Sequence, residues 1–280
     1  MDHRFQLVDV FNDRPFSGNP LGVVFDADDL GTEAMQKITQ WLNLSETAFL
    51  LSPTDPAADY RLRIFTLDRE MPFAGHPTLG GCHAWLSGGG KPRAASRIVQ
   101  ECGAGLIEIR QRGATLAFAA PRLIRSGPLD EAQIIDIARF LRIERSSILD
   151  AQWADNGPGW AVVLLRSAAA VLDLAPAPAH PTHVDLGVVG PYPAGSAIAF
   201  ELRAFFTDHQ GAIREDPVTG SLNASTAQWL LATGRAEAPY IASQGTCLGR
   251  TGRVYIDRDA SGTVWVGGKS STMFSGQALQ

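Results

Sequence analysis

The sequence predicts an α/β (α+β) chain made of two pseudo-symmetric lobes. Three observations predict it: the length, an internal repeat, and short strand-like runs alternating with helical ones. At 280 residues the chain can form two domains of ordinary size, each with its own core. Apolar residues make up 45% of it and charged residues 19%, the balance of a globular protein rather than a disordered one.

The repeat emerges when the chain is compared with itself. Leu62-Arg63-Ile64-Phe65-Thr66 leads to Glu70-Met71-Pro72-Phe73-Ala74-Gly75-His76 and then to an apolar helical run ending in Trp85-Leu86. Leu202-Arg203-Ala204-Phe205-Phe206-Thr207 leads to Glu215-Asp216-Pro217-Val218-Thr219-Gly220-Ser221 and a similar run ending in Trp229-Leu230. A weaker echo pairs Asn19-Pro20-Leu21-Gly22-Val23-Val24 with Asn156-Gly157-Pro158-Gly159-Trp160-Ala161-Val162-Val163. Three landmarks in one order imply a duplicated fold. They place an N-terminal lobe at 1–120 and a C-terminal lobe at 121–270, with 271–280 free to return to the first.

Strands are expected at Leu21 to Phe25, Thr47 to Leu51, Tyr60 to Thr66, Trp160 to Leu165 and Arg253 to Ile256, all short, apolar and rich in β-branched or aromatic residues. Between them, Thr32 is positioned to cap a helix with Met35, Ile38 and Leu42 on one face. Asp130 is positioned to cap another bearing Ile134, Ile135 and Ala138. Leu174 to Pro181 reads as a surface connection and Ala120 to Pro128 as the linker between lobes. The six tryptophans, Trp41, Trp85, Trp153, Trp160, Trp229 and Trp265, read mostly as core. Gly88-Gly89-Gly90 follows a helical run rather than a strand, so it lacks the strand-then-helix context of a phosphate loop and reads as a helix exit. Gln244-Gly245 through Gly249-Arg250 reads as a turn before a strand.

A net charge of -5 with scattered Lys and Arg offers no basic stripe, so nucleic acid is not an expected partner. The opening residues read as a strand, and no run nears the roughly 18 apolar residues of a membrane span. No membrane partner is expected, and a cytoplasmic location is. Cys82, Cys102 and Cys247 form no CxxC pair, and His3, His83, His180, His183 and His209 share no ligand spacing. No metal is therefore expected, and the thiols read as packed.

Chemistry concentrates at two predicted helix starts, Gly75-His76-Pro77 and Thr219-Gly220-Ser221. Helix N-termini offer unpaired N–H groups and the positive end of the dipole, so each can hold a carboxylate. Each also fits an ordinary helix start. His76 and Asp216 flank these starts at neighbouring rather than equivalent positions, since Met71 matches Asp216 and Ser221 matches His76. Glu46 stands where a helix end meets an apolar strand. Facing a cleft it would be desolvated and suited to carry a proton; facing water it would be a solvated loop residue.

Val8-Asp9-Val10-Phe11, Ser17-Gly18-Asn19-Pro20, Asn43 to Phe49, Phe73 to Thr78, Glu215 to Ser221, and Gln244-Gly245 through Gly249-Arg250 closely resemble the phenazine-biosynthesis PhzF-like family, nearly end to end. That family is similar in fold to diaminopimelate epimerase. The resemblance implies two lobes, each a curved, mostly antiparallel sheet around a central helix, with an active-site cleft between them. The epimerase's two catalytic cysteines are matched here by Gly75 and Ser221, which argues against two-thiol racemisation. The resemblance implies instead a cofactor-independent isomerase, similar to the one acting on dihydro-hydroxyanthranilate, that shifts a proton within a small cyclic or unsaturated carboxylate. Glu46 would be the base and acid, with His76 and Asp216 orienting or protonating. Gly75, Thr219, Gly220 and Ser221 would bind the substrate. No cofactor is implied, and a homodimer is. Epimerisation or dehydration next to a carboxylate, and a non-catalytic role binding a metabolite or protein, are the competing readings.

Overall fold

The computed structural model describes residues 3–94, 97–208 and 210–278. The chain divides into two compact units, Met1–Ala119 with Gly267–Gln280, and Ala120–Val266. The first unit contains β1 (His3–Val10), β2 (Asn19–Val24), α1 (Thr32–Leu42), β3 (Glu46–Leu51), β4 (Tyr60–Thr66), β5 (Glu70–Met71), α2 (Gly75–Ser87), β6 (Ile98–Cys102), β7 (Gly105–Arg112) and β8 (Thr115–Ala119). The second contains β9 (Arg125–Pro128), α3 (Glu131–Leu141), β10 (Ile148–Asp155), β11 (Ala161–Leu165), α4 (Ala168–Leu172), β12 (Asp185–Pro191), β13 (Phe200–Thr207), β14 (Ile213–Asp216), α5 (Gly220–Ala232), β15 (Tyr240–Gln244) and β16 (Gly252–Arg258). The last strand, β17 (Val264–Ala278), runs antiparallel to β1 from Ser270 onward.

Both units follow one pairing scheme. In the first, β1–β2, β3–β4, β4–β5 and β6–β7 are antiparallel, while β2–β3 and β4–β6 are parallel. In the second, β10–β11, β12–β13, β13–β14 and β15–β16 are antiparallel, while β11–β12 and β13–β15 are parallel. The repeated sequence landmarks occupy equivalent places: Phe65 pairs with Glu70 in one unit and Phe205 with Glu215 in the other.

The same landmarks encode an ion pair. Arg63 forks onto Glu70 at 2.7 and 2.6 Å, and Arg203 onto Glu215 at 2.9 and 2.8 Å. Each guanidinium also stacks over the phenylalanine two residues on, Phe65 or Phe205. The sequence repeat therefore preserves a strand-to-strand clasp as well as an apolar pattern.

Each unit wraps its sheet around a 13-residue helix, α2 or α5, that is buried on nearly every face and so shows no polar side. In α2 the close approach requires glycine. A Cβ at Gly80 would lie 2.5 Å from Leu21 and 2.7 Å from Val10, and one at Gly81 2.8 Å from Leu62.

Local signals in the sequence meet mixed outcomes. Asp130 caps α3 as expected, accepting from the Gln133 N–H while Gln133 returns a bond to the Asp130 N–H. Asp130→Ala is expected to cost about 1 kcal/mol, measured as a lowered urea midpoint. Thr32, expected as a cap, is instead the first residue of α1 behind Gly31, and its hydroxyl accepts from Arg63 at 2.8 Å. Trp41 is 84% exposed. It follows the fully buried Met35 by six residues and so points some 240° round the helix from it. Ile135 is likewise exposed, next to the buried Ile134 on α3. Cys247 is exposed because it rides in a short turn between Gly245 and Gly249, both at positive φ. Within the stretch read as a linker, Arg125–Pro128 forms β9 and pairs with β10.

Candidate active site

Glu46 opens β3, paired across to Thr66 on β4. His76 is the second residue of α2, and α2 packs against β3. This packing brings the His76 Nε2 to 3.7 Å from Glu46 Oε2, with the histidine side chain 4% and the glutamate side chain 19% exposed. That distance is longer than a hydrogen bond and within ion-pair range. Burial pushes the Glu46 carboxyl up from its ordinary 4.5 to about 7, because removing water disfavours the charged form.

The start of α2 is buried at Gly75, His76 and Pro77, and its N-cap, Ala74, has no side chain able to close the turn. Pro77 is the third helical residue, within the first turn, whose N–H groups have no intrahelical partner, so its missing N–H costs nothing.

In the second unit Asp216 ends β14 and Gly220 begins α5. Thr219, the N-cap, is of the residue type that normally bonds back to the first turn. Its hydroxyl goes instead to Asp216 Oδ2 at 2.5 Å, and no side-chain cap bond forms. The Trp160 indole donates to Ser221 Oγ at 3.0 Å, and Asn156 Nδ2 donates to the Ser221 carbonyl at 2.9 Å. Trp160 thereby occupies an acceptor position on the Ser221 hydroxyl and leaves its hydrogen free to be donated elsewhere.

Gln244 ends β15, just ahead of the turn that its sequence predicts. It is fully buried and bonded to both Asp216 and Thr219. No local signal marks it, since its partners lie far back in the chain.

His3 and His83 make structural bonds, to the Phe25 carbonyl and to Thr272 Oγ1. His180 and His183 pair with Asp136 and Asp185, and His209 lies outside the described residues. Among the described residues, no group of three or more His, Cys, Asp or Glu is arranged to hold a metal, and no helix is long and apolar enough to cross a membrane. An apolar groove of about 710 Å³ on the first unit, lined by Phe5, Ile38, Trp41, Leu42 and Phe274, contains none of the candidate residues.

The topology and these side chains define a class: a duplicated α/β protein with acid–base groups beside the starts of its two central helices. A family model described as phenazine biosynthesis-like protein matches residues 8–276. The chain is 34% identical to "Antisense-enhancing sequence 1" of Schizosaccharomyces pombe, covering 99% of each chain. It is 32% identical, again over 99% of each, to trans-2,3-dihydro-3-hydroxyanthranilate isomerase of Pseudomonas aeruginosa. The crystal structure of a PhzF-family protein from Bacillus anthracis matches it over 100% of both chains with a TM-score of 0.83 at 22% identity, a likeness of fold. The chain belongs to the phenazine biosynthesis-like protein family, and its class of activity is that of an isomerase.

Proposed function

We propose that the chain shifts a proton within a small cyclic or unsaturated carboxylate, with Glu46 as the carrier. The observation that carries this reading is a carboxyl that burial brings to about 7, 3.7 Å from a buried histidine. A group balanced near neutrality can both accept and return a proton, which a shift requires of one residue.

Ionised Glu46 takes the proton as a substrate C–H bond breaks. The electron pair delocalises through the unsaturated system toward the carboxylate. The same proton then forms a C–H bond at a second carbon, so no redox partner is consumed. His76 offers its ring to the Glu46 carboxylate or to the developing charge. Buried helix starts lacking side-chain caps suit a carboxylate ligand, and we assign Gly75 in the first unit and Thr219, Gly220 and Ser221 in the second to substrate binding. Asp216 is assigned an orienting or protonating role. A cytoplasmic homodimer belongs to the same proposal, and sedimentation at micromolar concentration tests the dimer.

The substrate in the name of the Pseudomonas aeruginosa relative is the first compound to try. Proton NMR of trans-2,3-dihydro-3-hydroxyanthranilate with the enzyme in deuterated water should show conversion, the receiving carbon keeping substrate hydrogen and taking solvent deuterium only to the extent that the proton held on Glu46 exchanges before it is returned. A spectrum in which no signal converts or exchanges would count against the reading.

A further inference from the structure

We infer that Gln244 is a positioning residue for Asp216, fixing the direction of the hydrogen bond that the carboxylate receives; the inference rests on the proton-shift reading above. Gln244 ends β15 and is 0% exposed. Its Oε1 accepts from the Thr219 N–H at 3.0 Å and from Asn223 Nδ2 at 2.8 Å. Its Nε2 donates to the Asp216 carbonyl at 3.0 Å and to Thr219 Oγ1 at 2.9 Å. Two lone pairs and two hydrogens are thus all used, and the amide is saturated. Rotating it by half a turn would set its oxygen against the Asp216 carbonyl and its NH2 against the Thr219 N–H. The network therefore permits one orientation.

That orientation propagates. Because Nε2 can only donate, Thr219 Oγ1 receives a hydrogen from Gln244 and must direct its own hydrogen away, to Asp216 Oδ2 at 2.5 Å. Gln244 thereby holds Asp216 as an acceptor in one rotamer and draws the Thr219 hydroxyl away from capping α5.

The first unit supplies an internal control. Met71 stands at the register position of Asp216, Ala74 is the N-cap where Thr219 is, and Cys102 ends β6 as Gln244 ends β15. The buried glutamine of that unit, Gln100, bonds Tyr60 and Thr78 instead. Helix α2 forms at the same length without the network. The helix start itself does not call for Gln244, and what distinguishes the second unit is a carboxylate to be aimed.

The test compares wild type, Asp216→Asn, Gln244→Met, Gln244→Glu and Thr219→Val on trans-2,3-dihydro-3-hydroxyanthranilate from pH 5.5 to 8.5, with melting temperatures alongside. Gln244→Met and the shape-preserving Thr219→Val should each lose roughly 10–100-fold in kcat, the scale of a misplaced catalytic group; in Gln244→Met, which leaves every residue assigned to substrate binding in place, KM should change less than about threefold. Measured as a ratio to wild type at each pH, the activity of Gln244→Glu should recover at the acid end, where its protonated carboxyl can donate to Thr219, and fall as pH rises; the same ratio for Gln244→Met should stay flat. A merely structural role would move kcat, KM and melting temperature together and give no acid recovery, and that pattern overturns the inference. So does wild-type kcat in both Gln244→Met and Thr219→Val while Asp216→Asn is inactive. Absence of wild-type turnover, or full activity of Asp216→Asn, overturns the proposed function beneath it.

Discussion

Glu46→Gln is expected to lose turnover by roughly 10²–10⁴-fold and, at the same time, to stabilise the first unit at alkaline pH. The two effects share one cause. Burial holds the Glu46 carboxyl at about 7 in the folded protein against an ordinary 4.5. Between those values the folded state keeps a proton that the unfolded chain has released, so wild-type stability falls as pH rises through the window. Below about 4.5 the penalty is absent, and above about 7 it is complete, at about 3 kcal/mol for 1.36 kcal/mol per pH unit. Glutamine has the same shape and no charge to bury. The variant should match wild type near pH 4.5 and exceed it by a few kcal/mol at pH 8. Amide hydrogen exchange in β3 and β4 reads this locally. Parallel pH profiles for the two proteins would show that Glu46 carries no such penalty.

Arg203→Met is expected to cost about 3–5 kcal/mol, and Arg63→Met no more than about 1 kcal/mol, although both residues make the same forked pair. Solvent decides between them. The Arg203 and Glu215 side chains are 7% and 12% exposed, whereas those of Arg63 and Glu70 are 16% and 37% exposed. Arg203 also donates to the carbonyls of Leu174 at 2.7 Å and Val171 at 3.3 Å. Its removal strands a buried carboxylate and takes the donor from the Leu174 carbonyl, while the Val171 carbonyl keeps backbone N–H partners. Adding Glu215→Leu to Arg203→Met should restore most of the loss by removing the stranded charge. Urea unfolding followed by hydrogen exchange in β13 checks all three variants. Equal costs for the two single substitutions would refute the desolvation argument.

What could be read from sequence depended on how far each signal reaches along the chain. The cap at Asp130 is complete within Asp130 to Gln133, and the structure contains it as written. The duplication was legible because Arg63 and Glu70 recur in the same order as Arg203 and Glu215, at offsets of 140 and 145 residues; the structure supplies the reason, a clasp between adjacent strands. Glu46 and His76 were singled out from separate stretches, and their 3.7 Å approach depends on α2 packing against β3, which no local pattern encodes. Trp41 misled because indole size suggests core while helical phase decides exposure. The local pattern at Gln244 shows only a turn, because the three residues it bonds, Asp216, Thr219 and Asn223, lie 21 to 28 positions earlier in the chain.

The second unit is one uninterrupted stretch, Ala120–Val266, whereas the first is closed by residues on either side of it. In the β1 ladder Val10 lies opposite Ser270. At the roughly 5–20 residues per second of synthesis, β1 waits on the order of tens of seconds on the ribosome for that partner, while the whole of the inserted unit emerges and can fold. Until then one flank of β1 has only solvent, or a chaperone, for its amides and carbonyls. The order of assembly is thus the reverse of the order of the genetic message.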